Sequence, residues 1–174
     1  MKKKLLGLLL ILCVVALDAH AQNTTNAQTL EVVHKPYGSG YSMIVIKPTI
    51  DNFIKLVNMS ELQFVQTMRN YQYFSTDDDG KYVSYWNGSI DNFAYAKCVN
   101  TFLYNIMRKE IRCFVPMDMI YPQGIIQDLY RTLRQYHVAS AQSIDKFSFN
   151  YNGSIYEFYI TTQATSYDIQ VLKK

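Results

Sequence analysis

Two kinds of hydrophobic spacing alternate along the chain and predict its secondary structure. Apolar residues recur about every three positions over 62–71 and again over 126–136, as they do on one face of a helix. After each of these stretches apolar and polar residues alternate, which is typical of half-buried strands. The sequence therefore predicts two helices, each followed by a group of strands.

The start of the first helix has a capping signature. Ser60 and Gln63 have the spacing of a capping box, in which each side chain satisfies a free backbone amide of the helix terminus. A shorter helical turn over 51–57 is predicted to precede it. Pro122 occupies a favourable first position for the second helix. The stripes predicted to face the core are Leu62, Val65, Met68 and Tyr71, then Ile126, Leu129, Leu133 and Tyr136.

Turn residues divide the strands into hairpins. Segments 30–34 and 41–47 flank the turn-forming stretch 36–40, which predicts a first hairpin. Asn-Gly at 87–88 and at 152–153 predicts two tight turns in which Gly88 and Gly153 adopt positive φ. The core faces predicted around these turns are Tyr82, Ser84 and Trp86 with Phe93 and Tyr95, and Phe147, Phe149 and Tyr151 with Tyr156, Phe158 and Ile160.

The sequence contains an internal similarity at an offset of 65 residues. Asn87-Gly88-Ser89-Ile90 returns as Asn152-Gly153-Ser154-Ile155, and the window 67–93 contains ten identities without a gap. In each half a third strand follows, at 102–106 and 167–171, and the strand 111–115 mirrors 44–47. We therefore expect an internally duplicated chain, with copies at about 41–109 and 110–174.

The predicted fold class is α+β. Each copy of the tandem pseudo-repeat is a strand, a helix and a three-stranded antiparallel meander, with the helices packed on one sheet face. This order of elements resembles the β-lactamase inhibitor protein and PepSY-like folds. The resemblance covers most of the chain after residue 30 and concerns the order of elements alone, so it transfers no functional residue.

The first 21 residues have the features of a secretory signal peptide. Three lysines precede an apolar run from Leu5 to Leu17, and Ala19-His20-Ala21 supplies the small residues of a cleavage site. Cleavage would leave 153 residues, of which 22–29 are expected to form a disordered leader and 30–174 a single domain. The mature net charge falls to +1, which argues against a nucleic-acid partner. We expect an exported, periplasmic or extracellular protein with no membrane span after the leader.

Two cysteines remain after the leader, Cys98 and Cys113. Export permits a disulfide between them, and two buried free thiols are the alternative. A thiol enzyme would pair one of them with His137. No cysteine-protease signature surrounds either cysteine, and the chain has no G-x-S-x-G serine motif. Asp77-Asp78-Asp79-Gly80 lacks the ligand spacing of an EF-hand, so we expect no metal and no cofactor.

Aromatic content is the most distinctive feature of the composition. The chain contains 15 tyrosines and 9 phenylalanines. Many of them must lie in the core, but Tyr37 and Tyr41 fall near a loop, and Tyr85 and Tyr159 fall on the predicted less apolar sheet face. Exposed tyrosines are common in binding surfaces. The sequence therefore favours a non-enzymatic binding protein with a protein or glycan partner; a carbohydrate-binding accessory protein and a small thiol-dependent enzyme are the alternatives.

Overall fold

The computed structural model describes residues 28–37, 41–78, 83–86, 100–105, 107–117 and 124–174. It confirms the α+β class. The described helices are α1 (Ile50–Asn58), α2 (Glu61–Asn70) and α3 (Ile125–Leu133), and a 3₁₀ turn (Arg134–Tyr136) continues α3. The short helical turn predicted over 51–57 is thus a helix of nine residues, while Pro122 lies outside the described residues.

The strands form two antiparallel sheets. Their bounds are β1 (Val32–Tyr37), β2 (Tyr41–Ile46), β3 (Phe74–Asp78), β4 (Val83–Trp86), β5 (Thr101–Asn105), β6 (Glu110–Pro116), β7 (His137–Ala141), β8 (Ile144–Tyr151), β9 (Ser154–Thr162) and β10 (Ser166–Lys173). β1 and β2 make a two-stranded sheet, which confirms the first predicted hairpin. The other eight strands lie in the order β3-β4-β5-β6-β10-β9-β8-β7, so the pairing of β6 with β10 joins the two halves of the sheet.

All three helices contact the same face of the eight-stranded sheet, which we call the inner face. Phe53 of α1 lies between Phe102 and Phe158, at ring-centroid distances of 6.5 and 5.9 Å. Phe64 of α2 stacks on Tyr104 at 4.2 Å. These side chains, together with buried residues of α3, belong to one continuous hydrophobic cluster. Burying each large apolar side chain contributes about 1.5–3 kcal/mol, so this cluster is the main source of stability.

The helix termini follow the sequence signals, but the buried face of α2 does not. The capping box at Ser60 and Gln63 is confirmed, with both reciprocal hydrogen bonds formed. Leu62, which we predicted to face the core, is 66% exposed, and Phe64 is buried in its place. Residues three apart drift by about 60° around a helix with each step, so a stripe of three-residue steps cannot stay on one face. The i, i+4 pair of Phe64 and Met68 does.

The hairpin turn at Asn152 and Gly153 is confirmed. Their φ angles are 49° and 78°, as a two-residue turn between twisted strands requires. Gln142 and Ser143, between β7 and β8, adopt the same turn with φ angles of 49° and 71°. Gly88 lies outside the described residues.

The register of β4 contradicts the face that we predicted for it. Tyr85 pairs with Phe102 and Val83 with Tyr104, and both partners are buried in the core. Directly paired residues of an antiparallel sheet lie on the same face. Positions 83 and 85 therefore belong to inner-face rows, and Ser84 and Trp86, predicted to face the core, belong to the opposite rows. A one-residue difference in register reverses every position of a strand.

The two halves are alike in some elements and differ in others. Shifted by 65 residues, α3 falls on 60–68, almost the range of α2, and Met68 and Leu133 are both fully buried. However, β2 pairs with β1 in the small sheet, whereas its predicted counterpart β6 lies at the centre of the large one. β4 also pairs directly with β5, whereas β9 separates β8 from β10. The second meander therefore has four strands, β7 to β10, instead of the predicted three.

Candidate interaction surface

The four tyrosines predicted as binding residues do not converge. Tyr37 and Tyr41 pair with each other across the small hairpin. Tyr85 occupies an inner-face row, as its pairing with Phe102 requires. Tyr159 lies in β9, four strand steps or about 19 Å from β4, and it pairs with Gln170 on the opposite face. The expectation that Tyr85 and Tyr159 share one sheet face is therefore wrong, because the register of β4 places them on opposite faces.

The face opposite the helices, which we call the outer face, carries Tyr159 among charged and aromatic side chains. Register places these residues side by side: Arg112 pairs with Gln170, Gln170 with Tyr159, and Tyr159 with Lys146. The next rows extend the surface in both directions along the strands. The outer face as used below comprises Leu103, Arg112, Phe114, Lys146, Glu157, Tyr159, Asp168 and Gln170.

An arginine–carboxylate pair fixes the centre of the outer face. The guanidinium group of Arg112 donates to both carboxylate oxygens of Asp168, with Nε 3.3 Å from Oδ1 and the second bond from Nη2 to Oδ2. The same group lies 5.3 Å from the ring centroid of Phe114. The Asp168 side chain is only 8% exposed, so a bidentate partner is needed to offset its desolvation.

A second group of side chains fixes Tyr159. Lys146 Nζ lies 2.8 Å from Glu157 Oε1 and 5.2 Å from the Tyr159 ring centroid, while the Tyr159 hydroxyl donates to Glu157 Oε2 at 3.0 Å. The hydrogen bond from Lys146 lowers the pKa of Glu157, and the same bond raises the pKa of Lys146. Both groups are therefore charged at neutral pH. The phenol ring is held by a hydrogen bond at its hydroxyl and a cation over its face.

The predicted cysteine chemistry is not formed at Cys113. Cys113 lies in β6 with a free, fully buried thiol, and burial raises its pKa well above the ordinary value. A thiolate nucleophile needs the opposite shift. His137 lies in β7, four strands away in the sheet, so the two residues cannot form a catalytic pair. The disulfide expected with Cys98 is also absent at Cys113, while Cys98 itself lies outside the described residues.

Sequence reasoning missed a polar cluster beside the edge strand β7. Asp145 Oδ1 accepts a hydrogen bond from the Ser140 hydroxyl at 2.5 Å, and Oδ2 accepts one from the Tyr130 hydroxyl at 3.0 Å. His137 Nε2 is 2.8 Å from Ser140 Oγ. Burial is the main cause that raises the pKa of Tyr130 to about 12, so its phenol is a neutral donor at physiological pH. The two-residue turn at 142–143 could have indicated this cluster, since it brings Ser140 opposite Asp145.

The cluster has the residue types of a serine hydrolase triad but not its connectivity. In a triad the carboxylate holds the histidine and the histidine takes the proton of the serine. Here the carboxylate of Asp145 binds the Ser140 hydroxyl directly, so the proton points away from His137. The geometry supports positioning of the β7–β8 hairpin against α3 through Tyr130, not activation of a nucleophile.

A second depression lies between α1 and α3 on the helix side of the sheet. It has a volume of about 600 Å³ and is lined by both helices and by the end of β8. Tyr136 and Phe149 form its aromatic wall, with ring centroids 4.7 Å apart, and Tyr151 is 46% exposed beside them. Asp51 and Asp128 add carboxylates at its rim.

Comparison with known proteins gives no family assignment. No protein-family model matches the chain, and neither a curated protein nor a solved structure is detectably similar to it. The resemblance in element order noted above therefore stays a prediction. Of the helices that the structure describes, none combines the length and apolarity needed to cross a membrane.

Proposed function

We propose that the protein is an exported, non-enzymatic interaction protein that binds a folded protein partner through the outer face of its sheet. One observation carries this proposal. The described helices all pack on the inner face, while the outer face displays aromatic and charged side chains that are already held in place across five adjacent strands.

The shape of the outer face favours a macromolecular partner. Five strands spaced about 4.8 Å apart span about 19 Å, which is the scale of a protein contact patch. Neither of the two cavities described here includes an outer-face residue, since both lie on the helix side or at the β7 edge. A broad surface suits the flat contact area of another protein better than a small ligand, which needs a concave site.

The side chains of the outer face favour strong contacts. Arginine and tyrosine are enriched among interface residues that dominate binding energy. Arg112 and Tyr159 are each immobilised by neighbouring side chains, so they lose little conformational freedom when a partner docks. Positive and negative groups are interleaved on this surface, which selects a partner with the complementary arrangement of charges.

Export and duplication extend the proposal to the whole chain. The leader-like residues 1–21 support secretion, so the partner would be encountered in the periplasm or outside the cell. The ten identities at an offset of 65 residues support an ancestral duplication. The equal burial of Met68 and Leu133 agrees with such an origin. A duplication that joins two meanders edge to edge would produce a sheet broad enough for a protein partner.

Carbohydrate binding is the second candidate, and the depression between α1 and α3 favours it. Tyr136, Phe149 and Tyr151 form an aromatic wall next to the carboxylates of Asp51 and Asp128. Sugar rings use such aromatic surfaces together with hydrogen-bonding groups. Calorimetric titration with a panel of oligosaccharides separates this candidate from the first, because the outer-face proposal predicts no heat of binding.

Site-specific photocrosslinking tests the proposed surface in the native envelope. A benzoylphenylalanine replaces Tyr159 in one variant and Leu62, which is 66% exposed on α2, in the matched control. We expect a discrete adduct of higher mass from position 159 and none from position 62. The same adduct from both positions, or an adduct from position 62 alone, would overturn the assignment of the outer face.

A further inference from the structure

The strand β7 lies at one edge of the eight-stranded sheet. All five of its residues, His137 to Ala141, are exposed, and among the described strands it pairs with β8 only. An edge strand presents a row of backbone amides and carbonyls that another extended chain can bind. β7 contains none of the lysines or prolines that commonly block such an edge, although a bulge between His137 and Ala139 interrupts its pairing with β8.

A groove runs between this edge strand and α3. It has a volume of about 650 Å³, and its lining comes from α3, the 3₁₀ turn, β7 and β8. Phe147 and Tyr130 give it an apolar floor, with ring centroids 6.0 Å apart in an edge-to-face arrangement. The residues that line this edge groove are Gln127, Tyr130, Arg131, Arg134, His137, Asp145 and Phe147.

The charged groups of the edge groove are mainly cationic towards solvent. Arg131 is paired with Asp128 at 3.0 Å on the exposed surface of α3. Arg134 has no acidic partner among the described residues. The one carboxylate in the lining, Asp145, already accepts hydrogen bonds from Tyr130 and Ser140. The groove is therefore complementary to a ligand that brings its own negative charge.

We propose that the edge groove is a second binding site, which takes an extended acidic peptide segment of another protein by strand addition to β7. The peptide backbone would pair with β7, an apolar side chain would rest on Phe147, and an acidic side chain would reach Arg134. This mode combines main-chain hydrogen bonds for affinity with side-chain contacts for specificity. It is independent of the outer face, which lies on the other side of the sheet.

The chain itself does not supply a suitable occupant. A second copy would offer its own β7, with the sequence His-Val-Ala-Ser-Ala, which contains no acidic residue. The segment Gln22–Gln28 contains neither an acidic residue nor a large apolar one. Charge complementarity therefore favours a separate partner over self-association.

Fluorescence anisotropy with matched peptides tests the proposal. The probes are labelled eight-residue peptides that alternate valine with glutamate, the same peptide with lysine in place of glutamate, and the acidic peptide with alternate backbone amides methylated. We expect binding of the first peptide only, because the second lacks the charge and the third cannot pair with a strand. Equal binding of the acidic and basic peptides, binding of the methylated peptide, or no binding of any peptide would overturn the proposal.

Two variants locate the binding on the molecule. Arg134→Ala is expected to weaken binding of the acidic peptide about tenfold or more, because a charge-assisted contact is lost. Arg69→Ala, at the corresponding place after α2, is the matched control and should leave affinity unchanged. Tyr159→Ala should also leave it unchanged, which separates this site from the outer face. A concentration-dependent dimer that Val138→Lys abolishes would instead assign β7 to self-association.

Discussion

At the scale of single residues, buried polar side chains fix how the small hairpin docks on the helices. Asn52 of α1 is 1% exposed, and its amide donates to the carbonyls of Glu31 and Lys47 while its oxygen accepts from the Glu31 amide. Each of these three contacts is between 2.8 and 2.9 Å long. One side chain thus closes both ends of the β1–β2 hairpin onto α1. Nothing in the local sequence distinguishes Asn52 from an exposed helical asparagine.

We predict that Asn52→Leu lowers the free energy of unfolding by about 3 kcal/mol. Leucine has a similar volume, but it leaves the Glu31 amide and the Lys47 carbonyl without their side-chain partner, and each buried unsatisfied group costs about 1–3 kcal/mol. Urea unfolding followed by circular dichroism measures the change. Asn70→Leu, at an exposed position of α2, is the control and should change stability by less than about 0.5 kcal/mol. Equal stability of the two variants would contradict the docking role of Asn52.

At the scale of elements, local signals were sufficient where one turn or one cap determines the structure. The capping box at Ser60 and the Asn152-Gly153 turn depend on neighbouring residues only, so the sequence predicted both. The face of β4 could not be predicted, because it depends on pairing with β5, about 20 residues further along the chain. The groove beside β7 was missed for the same reason, since it exists only once α3 packs against the sheet edge.

The turns on either side of β8 give opposite predictions for matched substitutions. Ser143, with φ 71°, carries a side chain in a conformation that suits glycine, so Ser143→Gly should stabilise the protein by about 1 kcal/mol. Gly153→Val should destabilise it by about 1–2 kcal/mol. A Cβ at Gly153 would meet no atom within 4 Å, so this loss is conformational and not steric. Thermal unfolding of both variants tests the turns, and shifts of the same sign would argue against the assigned conformations.

At the scale of the whole molecule, one sheet separates two environments. The inner face is buried under three helices in a single cluster, and the outer face holds its polar side chains in ion pairs and cation–π contacts. The sequence predicted that helices cover one side, because each helix and each strand has one apolar face. It could not predict which tyrosines share the other side, because that depends on the registers that join β4 to β9 through three intervening strands.

The affinity of the crosslinked partner for outer-face variants tests the central claim most directly. The double variant Phe114→Ala/Tyr159→Ala removes two half-buried rings from β6 and β9 without touching the inner-face cluster. Calorimetric titration should show a loss of at least about tenfold in affinity, because buried aromatic anchors carry much of the energy of an interface. The control Leu62→Ala should bind like the natural protein. An unchanged dissociation constant for the folded double variant would contradict binding through the outer face.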